Sequence, residues 1–147
     1  MSQNSIAVIG GSGFIGTRLV SLLLEAGHTV TIVDKQDSEK YPELRKAGDV
    51  RNVDDIVSAC RGCDTIYNLA AEHKDDVRPI SLYDDVNVQG ARNVCIAAEK
   101  LGINKIIFTS TVAIYGFSEN ELDENAEIAY INDYGPVSYT HLRAHET

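Results

Sequence analysis

Three glycines at the spacing GxxGxxG (Gly10, Gly13 and Gly16), with Asp34 further on, are the residues whose types and spacing first suggest chemistry. Such a turn leaves backbone N–H groups bare at the start of a helix, where the helix dipole favours an anion, so it can cradle a pyrophosphate. A side chain at Gly10 or Gly13 would hold the phosphates off the backbone, and one at Gly16 would push the helix off the sheet. An acidic residue about 20 positions past the glycines accepts both hydroxyls of an adenosine ribose and repels a 2′-phosphate. Asp34 therefore favours NAD over NADP, while Lys35 beside it keeps NADP as the lesser alternative. The competing reading of the same residues is a glycine-rich turn that binds nothing.

The elements that must position these residues follow from the apolar pattern. Ile6-Ala7-Val8-Ile9 is an uninterrupted apolar run, expected as a strand buried on both faces of a parallel sheet. Phe14, Ile15, Leu19, Val20 and Leu22-Leu23-Leu24 then recur at helical spacing up to Gly27, and residues 29–33 form a second strand ending in Asp34. Residues 44–47 are a short run with little strand character, yet the third strand belongs there, leading into Gly48-Asp49-Val50. Residues 53–60 have the period of a short helix, capped by Asn52 and carrying Asp54 and Asp55 in its first turn.

Residues 64–71 are expected as the fourth strand, ending in Ala70 and Ala71, which are small enough to admit a flat ring. A helix over 81–101 would turn Val86, Val94, Ile96 and Ala97 inward and stop at Gly102. Residues 105–109 make the fifth strand, with the hydroxyls of Thr109, Ser110 and Thr111 at its ligand-facing end. This alternation predicts right-handed βαβ units in an α/β fold, a Rossmann-type doubly wound parallel sheet of order 3-2-1-4-5. No internal repeat is present.

At 147 residues the chain is long enough for one domain with a real core. A formal charge of −9 argues against nucleic acid as a partner, because phosphate backbones need a basic face. The N-terminal residues carry no basic or apolar signal run, and no apolar stretch is long enough to span a membrane. Three cysteines, an odd number, suggest free thiols in a reducing compartment, so the expected location is the cytoplasm.

Gly10-Gly11-Ser12-Gly13-Phe14-Ile15-Gly16, Gly48-Asp49-Val50, Asn68-Leu69-Ala70-Ala71 and Asn87-Val88-Gln89-Gly90 recur together with Phe108-Thr109-Ser110-Thr111-Val112-Ala113-Ile114-Tyr115-Gly116 and Asp133-Tyr134-Gly135. In combination they resemble an extended short-chain dehydrogenase/reductase, in particular the NAD-dependent epimerase/dehydratase group that includes nucleotide-sugar 4-epimerases. The resemblance covers residues 5–135. It implies that Phe14 and Ile15 belong with the glycines to the cofactor-binding turn and that Asp49 and Val50 flank the adenine. It also implies that Ala70 and Ala71 line the ribose and nicotinamide, with Asn87 nearby, and it counts Leu69 and Thr109 among the cofactor-binding residues. By the same resemblance, Tyr134 removes a substrate hydroxyl proton and Thr111 holds that hydroxyl. It implies a nucleotide-sugar substrate and a homodimer paired through the 81–101 helix. A net reductase or dehydrogenase of a small substrate, and a non-catalytic dinucleotide sensor, are the alternative functions.

The family's chemistry also needs a lysine four residues after the tyrosine, because a phenol of pKa ~10 is a poor base at neutral pH without a neighbouring cation. Here that position is Ser138. Residues 136–147 resemble the translation of a sequencing-library adapter rather than a helix. The expectation is an incomplete NAD-binding domain over 1–135 with a non-native tail, inactive as it stands, cut from a parent about twice as long.

Other residues invite chemistry less. Cys60 and Cys63 form a CxxC with no second pair, at a helix-to-strand turn, and read as structural; Cys95 reads as a packed core residue. His28 reads as a turn residue. His73, beside Glu72 at a ligand-facing strand end, reads as an exposed loop histidine, with substrate contact as the alternative. Tyr115 could line the cleft or pack beneath the acidic stretch 116–133, which reads as a solvated cover.

Overall fold

One strand that is apolar on both faces sets up the architecture. In the computed structural model, which describes residues 3–71, 78–115 and 118–128, Ser5–Ile9 forms β1 at the centre of a five-stranded sheet. Successive side chains of a strand point to opposite faces. Ile6 and Val8 accordingly pack with Val20 and Leu23 on one face, and Ala7 and Ile9 with Ile56, Val94 and Ala97 on the other. A strand buried on both sides can only be apolar throughout, which is why Ile6-Ala7-Val8-Ile9 reads as an unbroken run.

The sheet order is β3-β2-β1-β4-β5, and every pair is parallel. The remaining strands are β2 Thr29–Asp34, β3 Arg45–Ala47, β4 Thr65–Asn68 and β5 Lys105–Phe108. Helix α1, Phe14–Glu25, covers the Ile6/Val8 face, while α2, Val53–Cys60, and α4, Gly90–Leu101, cover the other. The strand order is the one the sequence pattern predicts, and it places all five strand C-termini along one edge.

Helix ends follow local chemistry. Asn52 caps α2, its side-chain oxygen accepting from the amides of Asp54 at 3.0 Å and Asp55 at 3.4 Å. At the end of α1, Gly27 takes φ +88° and the His28 amide reaches back to the Leu23 carbonyl at 3.1 Å, a left-handed closure that suits glycine. His28 is a turn residue, and its Nδ1 accepts from the Asn4 amide at 3.1 Å.

Several boundaries differ from those expected. The helix predicted over 81–101 is a composite: α3, Ser81–Tyr83, passes through a wider π-helical turn, Asp84–Gln89, before α4. Ile96 is 41% exposed and does not join the core, because the buried series Ala91, Val94, Ala97 and Ala98 occupies the other side of α4. Cys95 is half-buried instead of a core residue. β4 stops at Asn68 and β5 at Phe108, so residues 69–71 and 109–111 are loops at the ligand edge. Among the described residues, no helix is long and apolar enough to cross a membrane.

Candidate dinucleotide site at the strand ends

The glycine turn is built by close backbone approach. Gly10 takes φ +79°, and its amide donates to the Val33 carbonyl at 2.8 Å, extending the β1–β2 ladder one residue past the strands. A Cβ at Gly10 would sit 3.1 Å from the Ala70 amide nitrogen. One at Gly16 would fall 2.5 Å from the Gly10 carbonyl oxygen and 2.6 Å from the Gly11 Cα. One at Gly13 would meet the Gly10 oxygen at 3.5 Å, an ordinary contact. The packing of the turn therefore demands glycine at 10 and 16, whereas position 13 has space for a side chain.

Gly13 is the N-cap of α1, and no side chain caps the helix. The amides of Phe14, Ile15 and Gly16 are those a helix start leaves without an intrahelical acceptor. No acidic residue stands in this first turn. Phe14 and Ile15 hold their side chains outward, 74% and 64% exposed, so in this chain they border the turn by their backbone. The Arg18 guanidinium lies 3.7 Å over the Phe14 ring and donates to the Phe14 carbonyl.

Asp34, at the end of β2, is half-buried and faces the same turn. One carboxylate oxygen accepts from the Ser12 amide at 3.1 Å and the other from the Gln36 amide at 3.0 Å. A carboxylate has about four acceptor positions, so two hydroxyls can still be taken. Lys35 is exposed, and its carbonyl accepts from Arg45, whose guanidinium also pairs with Asp37 at 2.8 Å.

After β3, the Asp49 carboxylate holds the Arg51 guanidinium at 2.6 Å, and that hydrogen bond keeps its carboxyl below the ordinary 3.8 despite partial burial. Val50 turns its side chain into the core at 6% exposure. Leu69, Ala70 and Ala71 are half-buried, with the Leu69 amide bonded to the Ile9 carbonyl at 2.9 Å and the Ala70 amide to the Asn68 side chain at 3.2 Å. Asn87 is fully buried in the π-helical turn. Thr109 is exposed beyond β5, its amide 3.5 Å from the Asn68 carbonyl, and Thr111 is half-buried. Tyr134 lies outside the described residues, as do Glu72, His73 and residues 136–147.

Direct contacts thus join Gly10, Gly16, Leu69 and Ala70, and tie the turn through Ser12 to Asp34. In the sequence Gly11, Ser12 and Gly48 carry the resemblance but no role of their own, and Asn93 draws no notice. A Cβ at Gly11 would meet the Val8 carbonyl at 2.9 Å, and one at Gly48 the Val33 side chain at 2.9 Å. Asn93 donates to the Val50 carbonyl at 2.8 Å from within α4. Its signal was a polar residue on the apolar face of a helix. Cys60 is buried, which pushes its thiol up to about 12, and burial raises Cys63 too, so neither resembles an activated pair. The described acidic residues 119, 121, 123, 124 and 127 are exposed. Tyr115 is half-buried.

The residues present fit a dinucleotide. A cradle that excludes Cβ atoms stands beside an uncapped helix start, and a carboxylate with spare acceptor capacity closes its flank.

Residues 6–144 match the family described as the NAD dependent epimerase/dehydratase family. The chain is 49% identical over 133 residues to an Escherichia coli O157:H7 N-acetyl-alpha-D-glucosaminyl-diphospho-ditrans,octacis-undecaprenol 4-epimerase, covering 90% of this chain and 40% of the relative. It is 31% identical over 152 residues to UDP-glucose 4-epimerase 3 of Oryza sativa subsp. japonica, covering 89% and 41%. Its fold is similar to that of a Bordetella bronchiseptica enzyme solved in complex with NAD and UDP, at TM-score 0.85 and 22% identity, covering 99% of this chain and 50% of that one. The chain therefore spans about 40% of the length of these relatives.

Proposed function

The chain belongs to the NAD dependent epimerase/dehydratase family, and from that premise we propose that it is the dinucleotide-binding part of an NAD-dependent 4-epimerase whose substrate is a sugar carried on a diphosphate, a nucleotide sugar in the first place. The observation that carries this reading is the 49% identity over 133 residues to a sugar-diphosphate 4-epimerase. Because the carrier in that relative is a polyprenol, a lipid-linked sugar diphosphate is the second substrate to test.

Gly10, Gly13 and Gly16 and the first-turn amides of α1 would hold the pyrophosphate, and Asp34 the adenosine ribose hydroxyls. Asp49 and Val50 would flank the adenine, and Leu69, Ala70, Ala71, Asn87 and Thr109 would border the nicotinamide half. The chemistry that bound NAD supplies is a reversible hydride acceptor. Thr111 would hold the reacting hydroxyl and stabilise the developing negative oxygen, while Tyr134 takes the proton. Ser138, four positions after Tyr134, carries no ammonium. For the 147 residues alone we therefore propose dinucleotide binding without turnover. Ser138 is also what favours the second reading, a non-catalytic dinucleotide sensor.

Calorimetric titration with NAD and NADP, followed by incubation with UDP-sugars, tests this. Saturable NAD binding tighter than NADP, with no product from the 147-residue chain, is expected. A parent chain with lysine at 138 and the missing length should interconvert C4 epimers without net NADH. Net NADH accumulation would replace the epimerase by a dehydrogenase. No NAD binding at all would remove the whole reading.

A further inference from the structure

One hydrogen bond ties the loop after β3, residues 48–52, to a helix 43 positions away. Asn93 of α4, 7% exposed, donates from Nδ2 to the Val50 carbonyl oxygen at 2.8 Å. Its own side-chain oxygen accepts from Gln89 Nε2 at 3.1 Å, so both ends of the amide are occupied and its orientation is fixed. One turn earlier, Gly90 lets the helix approach the loop. A Cβ there would stand 2.8 Å from Val50 Cγ2 and 3.1 Å from Val50 Cβ.

The other anchors of this loop come from its own surroundings. The Gly48 amide donates to the Asp34 carbonyl at 3.3 Å, the Asp49 amide to Asp55 at 3.2 Å, and the Asp49 carboxylate holds Arg51. Asn93 supplies the restraint from the layer beneath. An asparagine is a poor helix former, and burying its amide is unfavourable unless it is bonded, so an apolar residue would serve packing better at this position.

We propose that Asn93 is a positioning residue for an adenine nucleotide: by fixing the Val50 carbonyl it sets the wall on which the adenine rests, so the adenosine half of the site depends on α4. The inference rests on the reading that Asp49 and Val50 flank the adenine. A preset wall binds more tightly because less must be ordered when the ligand arrives.

The test titrates the full 147-residue chain and its Asn93→Ala, Asn93→Asp and Gly90→Ala variants with NAD, AMP and nicotinamide mononucleotide, with thermal unfolding run in parallel. Asn93→Ala removes the donor, Asn93→Asp keeps an acceptor for Gln89 but not the donor, and Gly90→Ala pushes on Val50 directly. Each should weaken NAD and AMP by the same factor, roughly tenfold for loss of one buried polar partner. Nicotinamide mononucleotide should bind unchanged. A merely structural role would lower all three affinities together, in step with the melting temperature. That result, or folded variants with unaltered AMP binding, overturns the inference. Should the variants not fold, amide exchange on the unmodified chain decides it: AMP should slow exchange at residues 49–52 and also around 89–94. Protection confined to 49–52 overturns the inference and leaves the cofactor reading standing. Absence of any NAD or AMP binding by the unmodified chain overturns both.

Discussion

Alanine at position 16 should damage the fold, whereas alanine at position 13 should damage chiefly ligand binding. At Gly16 the added carbon would lie 2.5 Å from the Gly10 oxygen, 2.6 Å from the Gly11 Cα and 2.8 Å from the Gly11 carbonyl carbon. All three are backbone atoms, so no side chain can swing aside, and α1 must move off the turn. Overpacking of this kind costs about 1–3 kcal/mol, and with three backbone contacts the upper end applies. For a chain of this size that corresponds to a fall in Tm on the order of 6–12 °C. At Gly13 the same carbon meets one atom at 3.5 Å, and the backbone there is ordinary extended N-cap geometry. Replacing an N-cap glycine by alanine, a poor cap, costs up to about 1 kcal/mol. The assay is thermal unfolding of both variants with NAD titration of each. Gly13→Ala should melt within about 4 °C of the parent and lose NAD affinity. Gly16→Ala should lose stability first. Equal melting temperatures for the two variants would refute the packing argument, and undiminished NAD binding by Gly13→Ala would remove this turn as the phosphate cradle.

Asn52→Ala deletes the cap of α2, which accepts two amides, and should cost about 1 kcal/mol in urea unfolding; no change would mean the cap is redundant. Asp49 has a depressed carboxyl in the folded chain, so its pairing with Arg51 contributes stability above the ordinary carboxyl value of 3.8 that is lost as pH falls through the folded value. Arg51→Leu should therefore be less stable than the parent at pH 7, with the gap closing below about pH 4; a gap independent of pH would contradict the pairing. Cys60, buried and pushed up to about 12, should resist alkylation at pH 8 until the chain unfolds; rapid labelling of the folded protein would show the turn to be open.

The parts of the fold that could be read from sequence are those where local and tertiary preferences coincide. Ile6-Ala7-Val8-Ile9 could only be a doubly buried strand, and Asn52 followed by two aspartates could only open a helix. Arg45–Ala47 was located by its place in the alternation alone, since its residues carry little strand preference and it pairs at the sheet edge. The π-helical turn at Asp84–Gln89 leaves the apolar period nearly intact, and so gives no warning in the sequence. Ile96 misled because hydrophobicity alone does not fix a face; its neighbours at 94, 97 and 98 do. Gly10 and Gly16, where backbone excludes a Cβ, were legible from spacing. The crowding at Gly11 and Gly48 was not, because Ile32 and Val33 reach them from the neighbouring strand, although at Gly11 the Val8 carbonyl is nearer still. Asn93 required knowing that α4 lies against the loop after β3.

The loops at the strand ends continue the sheet. The first amide past β1, Gly10, donates to Val33 at 2.8 Å, and the first past β4, Leu69, donates to Ile9 at 2.9 Å. At the flanks the corresponding bonds lengthen: Gly48 to Asp34 at 3.3 Å and Thr109 to Asn68 at 3.5 Å. The centre of the candidate site is thus ordered by the same ladder that orders the strands, while its two ends are held more loosely. A dinucleotide laid across the edge as proposed would meet a preset middle at its pyrophosphate and would tighten the outer loops around adenine and nicotinamide. Amide exchange should report this directly. Without ligand, Gly10 and Leu69 should exchange as slowly as core strand amides, and Gly48 and Thr109 faster; NAD should slow the outer pair by the larger factor. Fast exchange at Gly10 and Leu69 in the unliganded chain would mean that the turn is ordered by its ligand, and the preset cradle would have to be abandoned.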